Sequence, residues 1–138
     1  MAEGLLRKYL KDAGKGNIEI RSAGIRAIDG FLPTNETLDV MKREGIDMSY
    51  FASRGLTDDM IRKADLILTM EGLHKEEVIK RIPAASSKTF LLKEFGVTGK
   101  SEDITHPGIS DPISRPIEYY EASLAEIKKE VERIMKLL

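Results

Sequence analysis

The sequence predicts an α/β fold, a parallel sheet with helices packed on both faces. Three observations predict it. Short β-rich runs alternate with amphipathic stretches along the chain. One of these runs, ADLILTM at 64–70, is nearly continuously apolar, as a strand buried on both faces is. The C-terminal stretch carries Ile117, Tyr120, Leu124, Ile127, Val131, Ile134 and Leu138 at steps of three and four, the stripe of a long helix. At 138 residues the chain is one domain's worth, and no composition shift, repeat or low-complexity tract divides it. A single domain over 1–138 is the expectation.

Each element follows in order. AEGLLRKYLKDAGKG sets Leu5, Leu6, Tyr9, Leu10 and Ala13 on one helical face, and Gly14 stops it. NIEIRSAG alternates Ile18 and Ile20 with polar neighbours and turns at Gly24, which predicts a strand over 17–22. After a loop with Gly30 and Pro33, Thr34 caps a helix that carries Leu38 and Met41 and ends before Gly45. Thr57 caps a short helix in GLTDDMIRKA, and the strand at 65–70 follows. Glu71–Ile82 is a helix closed by Pro83, and KTFLLKEF is a further strand with helical character at its end. Residues 96–116 form a long loop rich in Gly and Pro. The last stripe fits a coiled-coil seam too, but three heptads are few, and a helix lying on a sheet fits better. The first helix has no strand before it, an odd start for a fold built of strand–helix–strand crossovers.

Composition excludes several function classes. Lys+Arg 22 against Asp+Glu 23 gives a net charge of −1, without the basic stripe of a nucleic-acid binder. No run reaches the length of a membrane span and no signal peptide opens the chain, so a cytoplasmic protein with no membrane or nucleic-acid partner is expected. The absence of cysteine excludes disulfides, thiolate metal sites and a thiolate nucleophile within these residues. His74 and His106 lack paired ligand spacing, so no metal and no cofactor is expected. GKG at 14–16 follows a helix instead of opening one, and no serine sits in a G-x-S-x-G elbow. Asp58–Asp59 and Glu76–Glu77 read as solvated charges at helix starts.

One acid stands out. Asp111, in GISDPISRPIEYYEA, lies in a stretch too rich in Gly, Pro and Ser for regular structure. Turn chemistry alone favours an Asp before Pro, and a carboxylic acid on such a loop can also deliver a proton to a leaving group. Tyr120 falls on the final helix's stripe and reads as core, whereas Tyr119 falls off it and reads as exposed.

Taken together, MAEGLLRKYL, IRSAG, GIDMSYFASRGLTDDMIRKADLILTMEGLHKEEVI, FLLKEF and DPISRPIEYYEASLAEI, in this order and spacing, resemble the low-molecular-weight protein-tyrosine phosphatases. That family includes bacterial protein-arginine phosphatases. The resemblance implies a three-layer helix/parallel sheet/helix fold whose first, central strand and Cys-x-x-x-x-x-Arg-Ser-Pro phosphate loop would lie immediately upstream of Met1. In the family, the loop's backbone N–H groups and Arg hold the phosphate at a helix N-terminus, and the thiolate attacks phosphorus to give a phosphocysteine. The resemblance assigns Asp111 as the general acid and Ser22 as the serine that supports the phosphate loop. With the loop absent, a polar cap at a strand end is the competing role for Ser22. Arg54 also matches the pattern, against a plain reading as a solvated turn arginine. Phe51 stands where many members carry a loop-supporting His, and Ile113 where many carry an aromatic lining the substrate slot.

The resemblance further implies hydrolysis of phosphotyrosine or phosphoarginine on protein side chains, with this chain inactive because the nucleophile is missing. A non-catalytic scaffold or self-associating interaction protein is the alternative. Arsenate reduction fits poorly, since it needs further cysteines. The absent strand would bring roughly four to six buried apolar side chains at about 1.5–3 kcal/mol each, on the order of 10 kcal/mol in sum. That rivals the whole net stability of a domain, about 5–15 kcal/mol. Its loss bares the strands at 17–22 and 65–70, so the sheet is expected to rearrange or be completed by another chain, as a homodimer through exposed edges.

Overall fold

A computed structural model describes residues 1–98 and 108–138. His106 and the middle of the long loop lie outside the described residues. In chain order the elements are α1 (Ala2–Asp12), α2 (Asn35–Arg43), α3 (Asp58–Lys63), β1 (Ile67–Thr69), α4 (Gly72–Arg81), a 3-10 segment (Pro83–Lys88), β2 (Thr89–Leu91) and α5 (Ile117–Met135). The fold class is α/β, as expected. The described chain divides into two compact units, Met1–Gly55 with Asp111–Leu138, and Leu56–Ser110.

The first unit is built on three helices. In α1 the apolar stripe buries Leu5, Leu6 and Leu10. Thr34 starts α2 by accepting a hydrogen bond from the Thr37 amide at 3.2 Å, one of the four N–H groups a helix start leaves unpaired. Gly45, at φ 74°, then lets the chain leave that helix in the left-handed region. The α5 stripe buries Tyr120, Leu124, Ile127, Val131 and Ile134 against α1 and α2, while Tyr119 stays 51% exposed. Gly4 lets α1 approach its neighbours closely, because a Cβ there would meet Met48 Sδ at 2.8 Å and Met41 Cε at 2.9 Å. Polar pairs tie the rims: Arg43–Glu121 at 3.1 Å, Lys128–Glu44 at 2.9 Å, and Tyr9 donating to Glu132 at 3.3 Å.

Residues 17–22, expected as a strand, are not one. The alternation survives, with Ile18, Ile20 and Ser22 half-buried between exposed Asn17, Glu19 and Arg21. A strand, however, is defined by a laddered neighbour, and among the described residues this segment has none. Its only pairing comes just beyond it, at the isolated parallel bridge Gly24–Gly55. Local pattern sets the alternation of burial; partners are set by the rest of the chain.

In the second unit, β1 and β2 form a two-stranded parallel sheet with Ile67 opposite Thr89, Leu68 opposite Phe90 and Thr69 opposite Leu91. The connection runs through α4 and the 3-10 segment, as a parallel pair requires. The apolar run at 64–70 was expected to be buried on both faces, but Leu66, Ile67 and Leu68 are half-buried, since a sheet of two strands offers little cover. The core gathers Ile61, Val78 and Ala85, with Leu56, Ile67 and Ile82 packed against it. Thr57 caps α3 by accepting from the Met60 amide, and Lys88 Nζ covers its other end, donating to the carbonyls of Arg62 at 2.9 Å and Ala64 at 2.5 Å. The helical character after β2 is a turn, in which the Glu94 and Phe95 amides both donate to the Leu91 carbonyl.

Candidate functional site

At the start of α1 a carboxylate is buried. Glu3 is 7% exposed, and its two oxygens are shared. Oε1 accepts from Arg7 Nε at 2.9 Å, one helical turn on, and Oε2 accepts from the Ser22 hydroxyl. The same guanidinium donates through its terminal nitrogen to the Ile20 carbonyl at 2.6 Å. Ser22 and Ile20 thus hang on α1 by side chains instead of by a ladder. Charge-assisted bonds of this kind offset the cost of burying a carboxylate. Position also helps, because a negative group in the first turn of a helix meets the positive end of its dipole.

This end of α1 opens into a cleft of about 160 Å³ lined by Glu3, Gly4, Arg7, Met48, Tyr50, Phe51, Ala52 and Arg54. The 51–55 segment is held there by hydrogen bonds from its backbone and from Ser53. Gly24 N–H donates to the Arg54 carbonyl at 3.0 Å, Ser53 Oγ donates to the Ile28 carbonyl at 2.6 Å, and Asp29 Oδ1 accepts from the Gly55 amide at 2.7 Å. Arg54 is half-exposed, and its guanidinium makes no hydrogen bond or ion pair with a described residue. Phe51, at the position where many members of the resembled family carry a histidine, forms part of the wall.

Asp111 sits on the loop before α5 and is exposed. Its Oδ1 accepts from the Ile113 amide at 3.0 Å, and the Arg115 amide donates to the Pro112 carbonyl at 3.0 Å, so the loop closes on itself. Ser114 pays for this with φ 62°, in the left-handed region. Ile113 is 61% exposed, and Arg115 lies 5.3 Å from the Tyr119 ring centre. The structure therefore brings Ser22 together with Glu3 and Arg7 beside Arg54, and leaves Asp111 bonded within its own loop, not among the residues that line the cleft.

Glu3 and Arg7 were missed in the sequence, although a signal was present. Glu3, Leu6 and Leu10 stand at i, i+3 and i+7, so a charge falls on the buried stripe of α1. A buried charge needs a partner, and the cation four residues on is the first place to look. Among the described residues no cluster of His, Cys, Asp or Glu could hold a metal ion. Nor is any helix among them long and apolar enough to cross a membrane.

Comparison with known proteins identifies the family. The family model for low molecular weight phosphotyrosine protein phosphatase matches residues 1–138. The chain is 33% identical over 132 residues to a probable low molecular weight protein-tyrosine-phosphatase, EpsP, of Ralstonia nicotianae, covering 96% of this chain and 81% of that protein. It is 34% identical over 121 residues to a protein-arginine-phosphatase of Geobacillus stearothermophilus, covering 88% of this chain and 77% of the relative. Among solved structures, the low molecular weight protein tyrosine phosphatase from T. tengcongensis superposes with a TM-score of 0.85 at 31% identity, covering 99% of this chain and 88% of the other. The chain belongs to the low molecular weight phosphotyrosine protein phosphatase family.

Proposed function

We propose that this scaffold serves hydrolysis of phosphotyrosine or phosphoarginine on protein side chains, and that the 138 residues alone do not catalyse it. The observation that carries the second half is the absence of any cysteine in a chain matched by the family over its whole length. In the family's chemistry a thiolate attacks phosphorus, the bond to the leaving oxygen or nitrogen breaks, and an acid protonates the departing atom. Asp111 is the acid in this reading. Its exposed carboxyl spends one oxygen on the Ile113 amide and keeps the other for a proton. Ser22, whose hydroxyl holds Glu3, fixes the start of α1, where the family's phosphate loop would join. The setting is cytoplasmic, and the partner is a phosphorylated protein.

The test uses p-nitrophenyl phosphate. The chain as it stands is expected to give background rates, and turnover lost in Asp111→Asn would overturn the inactive reading. Placing a hydrophobic strand and a Cys-x-x-x-x-x-Arg-Ser-Pro loop ahead of Met1 is expected to give turnover that falls by about 100-fold or more in Asp111→Asn. If that extended protein turns over equally well without the Asp111 carboxyl, Asp111 is not the acid.

A second reading is a non-catalytic, self-associating protein. The segment at 18–23, whose backbone has no strand beside it among the described residues, favours it. The chain then assembles as a homodimer through exposed sheet edges. A monodisperse monomer by light scattering at micromolar concentration would exclude this reading.

A further inference from the structure

We propose that Arg115 determines specificity by binding a carboxylate side chain about two or three positions from the phosphorylated residue of the protein substrate. The inference rests on the reading of Asp111 as the acid. It names the substrate class, a phosphoprotein that is acidic around the modified residue.

In DPISRP the sequence sets a cation four residues after the acid, and the backbone fixes where that cation stands. The Arg115 amide donates to the Pro112 carbonyl at 3.0 Å and Ser114 takes φ 62°, so residues 112–115 form one turn. The ends of such a turn lie within about 7 Å of each other. Pro116 follows at φ −58°, and its carbonyl accepts from the Tyr119 amide at 3.0 Å as α5 begins. Arg115 is thus held between a closed turn and a helix start, while Asp111 stands directly before the turn and bonds into it. A substrate that offers its leaving atom to Asp111 lays its neighbouring residues across the same loop. An extended chain rises about 3.3 Å per residue, so two or three residues span the turn.

The side chain is ordered as well. Arg115 is exposed, and a long surface side chain ordinarily samples many rotamers. Here the guanidinium lies over the ring of Tyr119, 5.3 Å from its centre. Tyr119 meets it because side chains on a helix lean toward the N-terminus, which is the direction of Arg115. The ring takes the flat face of the guanidinium. The N–H donors lie in the plane and point outward along its edge, and none of them bonds to a described residue. Nearby acids leave them open: Asp111 accepts from the Ile113 amide, and Glu121 pairs with Arg43 at 3.1 Å. A carboxylate binds a guanidinium edge-on through two parallel N–H bonds, which is the geometry left available. Because the ring has already ordered the arginine, little further freedom is lost when an acid binds.

The experiment has two arms. On the 138-residue chain, proton NMR is expected to show the Arg115 side-chain protons shifted upfield by the ring and restored in Tyr119→Leu. Unshifted protons overturn the ordering on which the proposal stands. The second arm uses the extended protein, with the strand and Cys loop ahead of Met1. It is given peptides that differ only in carrying glutamate or alanine at the second and third positions on either side of the phosphorylated residue. Each peptide is made with phosphotyrosine and with phosphoarginine. The ratio of kcat/KM, acidic over neutral, is read within one protein, so a variant that is merely less stable or less active leaves it unmoved. A ratio of about 5–10 is expected for the unaltered sequence. Arg115→Ala is expected to bring it to about 1, Arg115→Glu to below 1, and Tyr119→Leu to lower it by about two-fold. A ratio near 1 in the unaltered sequence, or one that survives Arg115→Ala, overturns the proposal while hydrolysis itself leaves the phosphatase reading standing. Hydrolysis of neither peptide overturns the protein-phosphatase reading, and this proposal with it.

Discussion

Replacing Glu3 by alanine is the most informative single perturbation of the first unit. It removes an acceptor that serves two donors, Ser22 Oγ and Arg7 Nε, at a residue 7% exposed. Losing one partner of a fully buried ion pair costs about 3–5 kcal/mol, because the other charge is stranded. Arg7 is not stranded in that way, since its side chain is 53% exposed and it keeps the Ile20 carbonyl. The ion pair itself is therefore worth no more than about 1 kcal/mol. The Ser22 bond is a charged hydrogen bond away from bulk water, worth about 1.5–3 kcal/mol. The sum for Glu3→Ala is about 2–4 kcal/mol. Urea unfolding followed by far-ultraviolet circular dichroism measures it, and the midpoint on heating is expected to drop by roughly 4 °C per kcal/mol for a chain this size. Ser22→Ala should account for most of the loss and Arg7→Ala for the smaller part. A Glu3→Ala loss below about 0.5 kcal/mol, or an Arg7→Ala effect exceeding that of Ser22→Ala, would show that the carboxylate does not hold the segment at 17–23.

Two further outcomes follow from the same unit. Gly4→Ala trades better helix propensity, about 1 kcal/mol, against contacts of 2.8 and 2.9 Å with the flexible ends of Met48 and Met41, so thermal melts should show it near neutral. Gly4→Val is expected to lose about 1–3 kcal/mol by overpacking, and a neutral valine would refute the close approach. The second outcome concerns alkaline pH. Partial burial, with Glu132 and Glu44 nearby, holds the Tyr9 phenol above its ordinary 10.0, and the Glu44 carboxylate holds Lys128 above its ordinary 10.5. Both groups bind their proton more tightly folded than unfolded, so their contribution is complete below the unfolded values and is lost as pH rises through the folded ones. Melting temperature should therefore decline above pH 10, less steeply in Tyr9→Phe and in Glu44→Gln; equal slopes in all three proteins would contradict this.

Much of the fold was legible because its cues are local. The stripes of α1 and α5, the threonine caps at 34 and 57, and Pro83 at the end of α4 each act within a few residues of where they are read. Strands were read less well. Ile18 and Ile20 alternate as a strand does, yet whether 17–22 enters a ladder depends on what lies beside it, and the same holds for how deeply Leu66–Leu68 are covered. The site divides along the same line. Asp111 was readable as a loop acid from its Gly, Pro and Ser neighbours, while its role came from resemblance alone. Glu3 could have been found by asking why a carboxylate interrupts an apolar stripe. Its union with Ser22, nineteen residues on, could not.

The division of the chain has a consequence for its birth on the ribosome. The unit Leu56–Ser110 is continuous, so it can fold as soon as it has emerged. The other unit is interrupted, and α1 and α2 find the apolar face of α5 only when residues 117–135 have emerged. Until α5 has emerged, Leu5, Leu10 and Met41 wait uncovered, and that interval is when the nascent chain most needs a chaperone's shelter.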